Sequence, residues 1–277
     1  HDHLVVLGLA DVVLAPLDHP RQLGVELLGG LAERLELPVW VSGRMWKPYA
    51  SEVLPQMADA EQVFDRGSAL VMNRRGYERA VAAGVQKFNI VFSPCEYFNM
   101  KNMGKTRSEI VLMYKTFMDK VPKKNVRVYI SMAFGSPYSG TPRLATLISC
   151  IRDAKMFGDT VVFADTVGAG TRKEVAELAE LAKNEGVRAA LHLHHTGEES
   201  RALELVRAAL MSGIYEIDSS IGGLGGCPFA DNSGANLSTE TLVSHLHAWG
   251  FTTGVDEEAL KAASRIAEQI TLRNASQ

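Results

Sequence analysis

Residues 160–196 read TVVFADTVGAGTRKEVAELAELAKNEGVRAALHLHHT, and this stretch decides the fold class. Two apolar, β-branched runs, Thr160–Thr166 and Ala189–Thr196, flank an amphipathic run, Thr171–Glu185, that ends at Gly186. A strand, a helix with a glycine C-cap and a second strand make up the repeating unit of a parallel sheet. We therefore predict a parallel α/β protein.

The same alternation repeats from Ser68 onward. The strands predicted in this way are Ser68–Asn73, Gln86–Ser93, Val126–Phe134, Thr160–Thr166, Ala189–Thr196 and Ile214–Ser220. The helices are Gly76–Ala83, Arg143–Phe157, Thr171–Glu185 and Glu198–Ser212, each followed by a glycine in the place of a C-cap: Gly84, Gly158, Gly186 and Gly213. Two earlier apolar runs, Leu4–Leu14 and Leu37–Gly43, bring the strands to the eight that close a barrel. We predict a single (β/α)8 TIM-barrel domain over residues 1–277.

Composition narrows the classes of partner. A chain of 277 residues with 46% hydrophobic and 22% charged residues is long enough for one barrel and is not disordered. A formal net charge of -3 and a pI near 6.3 provide no basic stripe for phosphate backbones. We expect no nucleic-acid partner.

Cysteine usage and hydropathy bear on the compartment. The three cysteines, Cys95, Cys150 and Cys227, are odd in number and have no CxxC spacing, which favours a reducing compartment. No run approaches the ~20 apolar residues of a membrane span, and no targeting pattern begins the sequence. We expect no membrane association and a location in the cytoplasm or an organelle matrix.

Polar residues stand at the carboxyl ends of all six repeated strands, where the active sites of barrels form. They are Asn73, Ser93 with Glu96, Ser131, Asp165 with Thr166, His192 with His194, and Asp218 with Ser219. One such residue could simply cap the next helix. Six in the same register favour a ligand site.

The sharpest local motif is His192-Leu193-His194 on a predicted strand. The period of two puts both imidazoles on one face, where they can meet one divalent metal ion. A pair of packed or solvent-facing histidines is the alternative that spacing leaves open. His195 points to the other face on this reading and is predicted to be structural.

A glycine-rich loop, GGLGGCPFA over residues 222–230, follows the last strand. Such a loop can carry the Cys227 thiol into a pocket, where it would act as an acid or base. The alternative is a turn whose cysteine is incidental. Asn236 follows shortly after, and its amide oxygen either completes a metal site or caps the helix that starts near Ser238.

From Leu54 to the C-terminus, about four fifths of the chain, the sequence resembles the 3-hydroxy-3-methylglutaryl-CoA (HMG-CoA) lyase family of barrel metallolyases, whose relatives include isopropylmalate synthases and ketoacid aldolases. The matching segments are Pro55–Asp59, Asn73–Tyr77, Ala80–Gly84, Ser93–Glu96 with Lys101 and Asn102, Tyr129–Ser131, Pro137–Gly140, Ala164–Gly168, His192–His194 and Asp218–Asn236. The GGLGGCPFA loop is the specific feature, since the synthases and aldolases share only the barrel and the histidine pair.

The resemblance implies a retro-Claisen lyase that splits HMG-CoA into acetyl-CoA and acetoacetate, as in leucine degradation and ketone body metabolism. It implies Mg2+ or Mn2+ held by His192, His194 and Asn236, with Cys227 and His192 as catalytic residues. It also implies a homodimer in the bacterial cytoplasm or the mitochondrial matrix. The basic stretch 120–127 is a solvated turn or helps to hold the anionic CoA tail. A related hydroxyacyl-CoA lyase, a ketoacid aldolase and a non-catalytic paralogue remain the alternatives.

The chain departs from the family pattern at its start. The family has an Arg-Asp pair at the end of the first strand, whereas Asp11 here, the candidate for the remaining metal ligand, follows Ala10. Residues 1–53 are atypical throughout and are either diverged or the product of a shifted reading frame. Removing a preorganised stabiliser of an anion costs ~3 kcal/mol. We therefore predict a feeble enzyme unless Arg21, Arg44 or another cation substitutes. His195 replaces the family's usual Asp, which could alter the orientation of a ligand.

Overall fold

A computed structural model describes residues 5–9, 40–41, 67–82, 84–227 and 234–265. The strands are β1 Val5–Leu9, β2 Trp40–Val41, β3 Ser68–Leu70, β4 Lys87–Phe92, β5 Val126–Ile130, β6 Thr160–Asp165, β7 Arg188–His195, β8 Glu216–Ser220 and β9 Ala235–Asn236. The helices are α1 Arg74–Ala82, α2 Glu96–Met103, α3 Arg107–Met118, α4 Leu144–Lys155, α5 Arg172–Glu185, α6 Ser200–Met211 and α7 Thr239–Ala248, with residues 257–265 also helical. Short 3-10 turns span Lys123–Asn125 and Ile221–Gly223.

The sheet is parallel and follows the chain. Its order is β1-β8-β7-β6-β5-β4-β3-β2, so that β3 to β8 lie side by side in sequence order and β1 pairs with β8. The short β9 is antiparallel to β7. This is an α/β fold with a parallel half-barrel, as the strand-helix alternation predicted. The predicted closure between the first two strands is not among the pairs that the described residues form.

The two faces of the sheet differ in what they bury, as a period of two requires. On the outer face, side chains such as Ile90, Val128 and Phe163 pack against the helices in the main hydrophobic core. On the inner face a separate small cluster contains Val91, Tyr129, Val162 and Ala190. The residues that alternate with the outer core therefore point into the barrel, where the polar residues of the site also lie.

Local sequence signals place the helix ends. Thr171 caps α5 through a capping box with Glu174, and Gly186 ends the same helix in the left-handed conformation, with φ 69°. Gly158 was predicted to do the same for α4, and this was wrong. The C-cap of α4 is Met156. A Cβ on Gly158 would lie 2.4 Å from the carbonyl oxygen of Val126, so the glycine is needed for close packing of the chain against β5.

The six strands predicted from Ser68 onward are all present, but two of them end three or four residues before the predicted end. Val126–Phe134 was predicted, and β5 ends at Ile130. Met132 takes a left-handed φ of 59°, and its N–H donates to Oγ1 of Thr166 (3.0 Å), so the chain leaves the sheet here. Ser68–Asn73 was predicted, and β3 ends at Leu70 because Asn73 already caps α1: its Oδ1 accepts the N–H of Gly76 at 2.9 Å.

Candidate functional site at the carboxyl ends of the strands

The polar strand ends divide into structural groups and groups that face one another. Asn73 is the helix cap described above. Asp165 is buried, and its two carboxylate oxygens accept the N–H groups of Ala169 (2.8 Å) and Gly170 (2.9 Å). Burial raises the pKa of Asp165, and these two backbone hydrogen bonds oppose the rise without cancelling it. Asn73 and Asp165 therefore each fix the backbone of the segment that follows their strand.

Three further polar residues from the ends of β4 and β8 also have structural roles. Ser93 Oγ donates to the carbonyl of Ser131 (2.8 Å) and accepts the N–H of Cys95, which ties the ends of β4 and β5 together. Glu96 accepts the N–H of Arg107 and so fixes the start of α3. Ser219 lies on the outer face, where its hydroxyl is 2.9 Å from that of Thr239 in α7. Fewer of the polar residues at the strand ends therefore face a common site than the sequence pattern predicted.

His192 and His194 do converge, as the period of two predicted. Their Nε2 atoms are 3.1 Å apart, and both side chains are nearly buried. Two nitrogens that bind one octahedral cation in adjacent positions, at about 2.1 Å each, lie about 3.0 Å apart. An N–H···N hydrogen bond between the rings has the same length. The distance between the two Nε2 atoms is therefore compatible with a shared cation and with a direct hydrogen bond between the rings.

The strand β9 brings Asn236 to the same place. Asn236 is the register partner of His194 in the antiparallel pairing of β9 with β7, and it is 2% exposed. Its Nδ2 donates to the carbonyl of Leu224 at 2.7 Å. An amide oxygen such as its Oδ1 is a donor of the kind that binds a hard cation. The helix cap considered for Asn236 is instead Ser238, whose side chain accepts the N–H of Thr241.

Glycine makes the return of the chain to β7 possible. Gly234 has φ 65°, and a Cβ there would lie 2.0 Å from the carbonyl oxygen of His195. Only a residue without a side chain can approach the strand so closely. The position of Asn236 therefore depends on this glycine two residues before it.

Two glutamates anchor the segments on either side of the glycine-rich loop. Both carboxylate oxygens of Glu240 accept the N–H of Gly222, at 3.0 and 3.1 Å. Glu199 accepts the backbone N–H of Ser238 at 2.6 Å and hydrogen bonds to the hydroxyls of Ser238 and Thr241. His195 has its Nδ1 2.7 Å from the carbonyl of Gly197 and its Nε2 3.7 Å from Glu199, away from the histidine pair. This is the structural position predicted for it.

Cys227 lies in the glycine-rich loop that follows β8. Its side chain is partly exposed and packs against an apolar cluster of Cys95, Phe98 and Met132. That cluster is formed by the segments that follow β4 and β5. The hydrogen bond from Asn236 to Leu224 joins the loop of Cys227 to the histidine pair.

Below the histidines lies a charged group of which the sequence analysis singled out only Asp218 and not its partners Arg127 and Tyr129. Asp218 is buried on β8, where it accepts Nη2 of Arg127 (2.9 Å) and the hydroxyl of Tyr129 (2.7 Å). Its Oδ2 is 3.6 Å from Nδ1 of His192. Burial would raise the pKa of Asp218, but the charge of Arg127, the contact with His192 and the hydrogen bond from Tyr129 hold it below the ordinary value. The available signal was the arginine two residues before Tyr129 in an otherwise apolar strand.

The rest of the predicted site lies outside the described residues: Ala10, Asp11, Arg21 and Arg44. Within the described ranges no group of three or more His, Cys, Asp and Glu residues could hold a metal ion. Two imidazoles and one amide are nevertheless donors of the right chemistry for a divalent cation that takes mixed nitrogen and oxygen ligands. The donor set fits such a cation as far as it is described.

Comparison with known proteins identifies the family. The HMGL-like family model matches residues 48–267. The chain belongs to the HMGL-like family. It is 33% identical over 270 residues to the hydroxymethylglutaryl-CoA lyase of Pseudomonas mevalonii, an alignment that covers 94% of this chain and 89% of that protein. It is also 31% identical over 261 residues to the (R)-citramalyl-CoA lyase of Chloroflexus aurantiacus, covering 86% of this chain and 79% of that protein.

Solved structures agree with this placement of the HMGL-like chain. An HMG-CoA lyase from Acinetobacter baumannii, in complex with coenzyme A and 3-methylmalate, matches with a TM-score of 0.80 at 25% identity, covering 97% of this chain and 91% of that chain. The predicted resemblance to HMG-CoA lyases is confirmed. Among the described residues, no helix combines the length and the apolar character needed to cross a membrane.

Proposed function

We propose that this HMGL-like protein is a metal-dependent carbon–carbon lyase that cleaves HMG-CoA to acetyl-CoA and acetoacetate. The observation that carries the proposal is the convergence of His192 and His194 on β7, with Asn236 opposite His194 on the adjoining β9, in a chain 33% identical to a hydroxymethylglutaryl-CoA lyase. We further infer that β1 and β2 close the barrel, that residues 1–277 form one catalytic domain and that two copies form a dimer.

His192, His194 and Asn236 would hold Mg2+ or Mn2+, with Asp11 as the candidate for a further ligand. When bound, the cation supplies Lewis acidity to the tertiary hydroxyl and to a neighbouring oxygen of the substrate. The residues of the chain then have two tasks. One is to take the proton of that hydroxyl, and the other is to return a proton to the carbon that leaves.

His192 is the group assigned to the hydroxyl proton, which its Nε2 would accept on leaving the metal position. Its side chain is only 11% exposed. When the O–H bond is lost, its electrons form the ketone of acetoacetate and the C2–C3 bond breaks. The electron pair of that bond stays on C2 as the enolate of acetyl-CoA. Cys227 is the group assigned to protonate C2, which completes acetyl-CoA and leaves a thiolate to be reprotonated.

The position of Cys227 supports its assignment as the group that protonates C2. Its thiol packs on the apolar Cys95, Phe98 and Met132 cluster, where water is partly excluded, while its loop is tied to Asn236 through Leu224. An enolate held in such a place meets the thiol before it meets bulk water. A thiol on a loop of this kind can also withdraw to release the product.

The substrate is expected to carry CoA at the open mouth of the barrel. The A. baumannii HMG-CoA lyase structure holds coenzyme A. We infer that this chain takes an acyl-CoA rather than a free acid, and that the acyl group enters the barrel while the nucleotide stays near its rim. Nothing in the proposal requires a nucleic acid or a membrane. The compartment, cytoplasm or mitochondrial matrix, stays a prediction.

The deciding experiment is an assay of purified protein for acetoacetate released from HMG-CoA, with Mg2+ or Mn2+ and then with a chelator. Cys227→Ala is measured beside Cys150→Ala, a control that removes a thiol buried between α3 and α4. Cation-dependent product that is lost only in Cys227→Ala supports the proposal. A folded protein that binds Mn2+ but gives no product overturns HMG-CoA as the substrate.

A second substrate is favoured by a specific observation. The chain is 31% identical to an (R)-citramalyl-CoA lyase, and the A. baumannii HMG-CoA lyase structure contains 3-methylmalate, a branched hydroxy acid. We therefore propose citramalyl-CoA and related hydroxyacyl-CoA esters as the alternative, to be assayed in the same way. The aldol cleavage of free ketoacids is assayed in parallel. No cleavage of any of these, together with no Mn2+ binding, would indicate a non-catalytic paralogue.

A further inference from the structure

The carboxylate of Asp218 faces a buried ring nitrogen of His192. Nδ1 of His192 is buried and makes no hydrogen bond with any described residue, while Oδ2 of Asp218 is 3.6 Å away. That distance is longer than a hydrogen bond and short enough for strong electrostatic attraction. The other nitrogen, Nε2, faces His194.

Asp218 is held from below by two donors. Arg127 Nη2 and the Tyr129 hydroxyl bind its two oxygens, and Arg127 Nη1 also donates to the Tyr129 oxygen at 2.9 Å. A buried carboxylate without such partners would be very unfavourable. The donors fix the plane of the carboxylate and the negative charge that it presents to His192.

The ring of His192 is also confined from the side. Its edge packs against Tyr129, with ring centroids 5.9 Å apart and an interplanar angle of 75°. The same tyrosine therefore contacts both the carboxylate and the imidazole. Glu216 on the same strand as Asp218 pairs with arginines instead: it is 3.9 Å from Arg127 and 3.8 Å from Arg188.

We propose that Asp218, held by Arg127 and Tyr129, is a positioning residue that keeps the proton of neutral His192 on Nδ1 and leaves the lone pair of Nε2 directed at the metal position. This inference rests on the proposed function, because it assumes that the histidine pair binds a cation. An imidazole can bind a metal only through its unprotonated nitrogen. A carboxylate beside the other nitrogen orients such ligands and raises their basicity, and its loss commonly weakens metal affinity 10–100-fold.

The variant Asp218→Asn tests whether Asp218 sets the tautomer of His192. Arg127 has only N–H donors, so it will hold the carbonyl oxygen of the new amide, and the NH2 group will then turn toward Tyr129 and His192. A donor beside Nδ1 favours the opposite tautomer, with the proton on Nε2. We expect Mn2+ affinity, measured by EPR titration without substrate, to fall at least tenfold.

Glu216→Gln is the matched control. It removes a carboxylate from the same strand and from the same charged group, two residues from Asp218, without a contact to His192. Its Mn2+ affinity is expected to stay within twofold of the wild-type value. Nitrogen-15 NMR of the imidazoles, with His192 assigned by its loss in His192→Gln, reads the tautomer directly. A proton on Nδ1 in the wild type and on Nε2 in Asp218→Asn is the expected result.

The outcomes separate the two hypotheses. If the wild type binds no Mn2+, the proposed function fails and this inference fails with it. If the wild type binds Mn2+ and a folded Asp218→Asn binds it equally well, with an unchanged tautomer, only the positioning role is refuted. If Asp218→Asn does not fold, Tyr129→Phe decides: it deletes one hydrogen bond to the carboxylate and keeps Arg127. An unchanged Mn2+ affinity in Tyr129→Phe would then overturn the inference, and a loss of threefold or more would support it.

Discussion

The Nε2 atoms of His192 and His194 lie 3.1 Å apart on the inner face of β7. Their convergence follows from strand geometry, because residues two apart share a face. The neighbouring β9 then sets Asn236 opposite His194 in register. Since the two histidines stand on a strand of the sheet, the pair needs no loop movement to form, and sites on rigid elements hold their ligands most accurately.

Replacing one member of the pair should abolish metal binding. We expect His194→Gln to lose measurable Mn2+ binding and to lower kcat/KM for HMG-CoA by at least a hundredfold, because one coordinating nitrogen is gone. The control is His195→Gln, whose ring faces Gly197 and Glu199 on the other side of the strand. Its kcat/KM should stay within about threefold of the wild type. Equal losses in the two variants would contradict the assignment of the inner face.

A second prediction concerns the glycine that lets the chain return to β7. Gly234→Ala should cost about 3 kcal/mol of stability or displace Asn236, because a Cβ would lie 2.0 Å from the carbonyl oxygen of His195. Gly104→Ala is the control. Gly104 has nearly the same φ, 66°, but nothing within 4 Å of the added carbon. It should cost only about 1 kcal/mol.

Urea unfolding of both variants, with Mn2+ titration of each folded protein, checks this prediction. The loss of Mn2+ affinity should be confined to Gly234→Ala. Two variants with the same stability and the same affinity would show that the close approach at Gly234 has no role in placing Asn236.

Most of the fold could be predicted from the sequence, because apolar periodicity indicates which face of an element is buried. The ends of the strands were predicted less well. Met132 leaves the sheet through a left-handed backbone held by Thr166, and Gly158 serves the close approach to Val126 rather than a helix cap. Both depend on contacts between segments distant in sequence. Periodicity along one strand does not report such contacts.

The sequence predicted the part of the site that lies on a single strand. His192 and His194 were found from their spacing, but the role of Asp218 depends on Arg127 and Tyr129 from a strand that is not its neighbour in the sheet. Their meeting is a property of barrel curvature rather than of either strand alone. For Asn73 and Asp165, capping and ligand binding demand the same polar atoms, so sequence could not separate the two roles.

The start of the chain yields a prediction about rate. Ala10 precedes Asp11 where the resemblance implies an arginine that stabilises the enolate, so we expect kcat for HMG-CoA about a hundredfold below that of a relative such as the P. mevalonii lyase, unless Arg21, Arg44 or another cation substitutes. If Arg21 or Arg44 substitutes, its replacement by alanine should remove the remaining activity. Steady-state kinetics of the wild type and the two variants settle the question. Full turnover with both alanine variants unaffected would refute the prediction.

Cys150 provides a prediction about alkaline stability. Its thiol is buried between α3 and α4, where Arg107 donates to its sulfur at 2.8 Å, and burial raises the pKa of Cys150 to about 11. A thiol whose pKa is higher in the folded state stabilises the protein fully below the unfolded value of 9.0, and this contribution is lost as pH rises toward 11.

The wild-type free energy of unfolding should therefore fall by about 2 kcal/mol more than that of Cys150→Ala between about pH 8 and pH 10.5. Urea unfolding of the two proteins across this range measures the difference, since the other alkaline groups titrate in both. The alanine variant is less stable at neutral pH because a buried side chain is lost, but its curve should be flatter. Parallel curves would mean that the thiol ionises as easily in the folded protein as in the unfolded chain, which its burial beside Ile151 and Ala154 in α4 argues against.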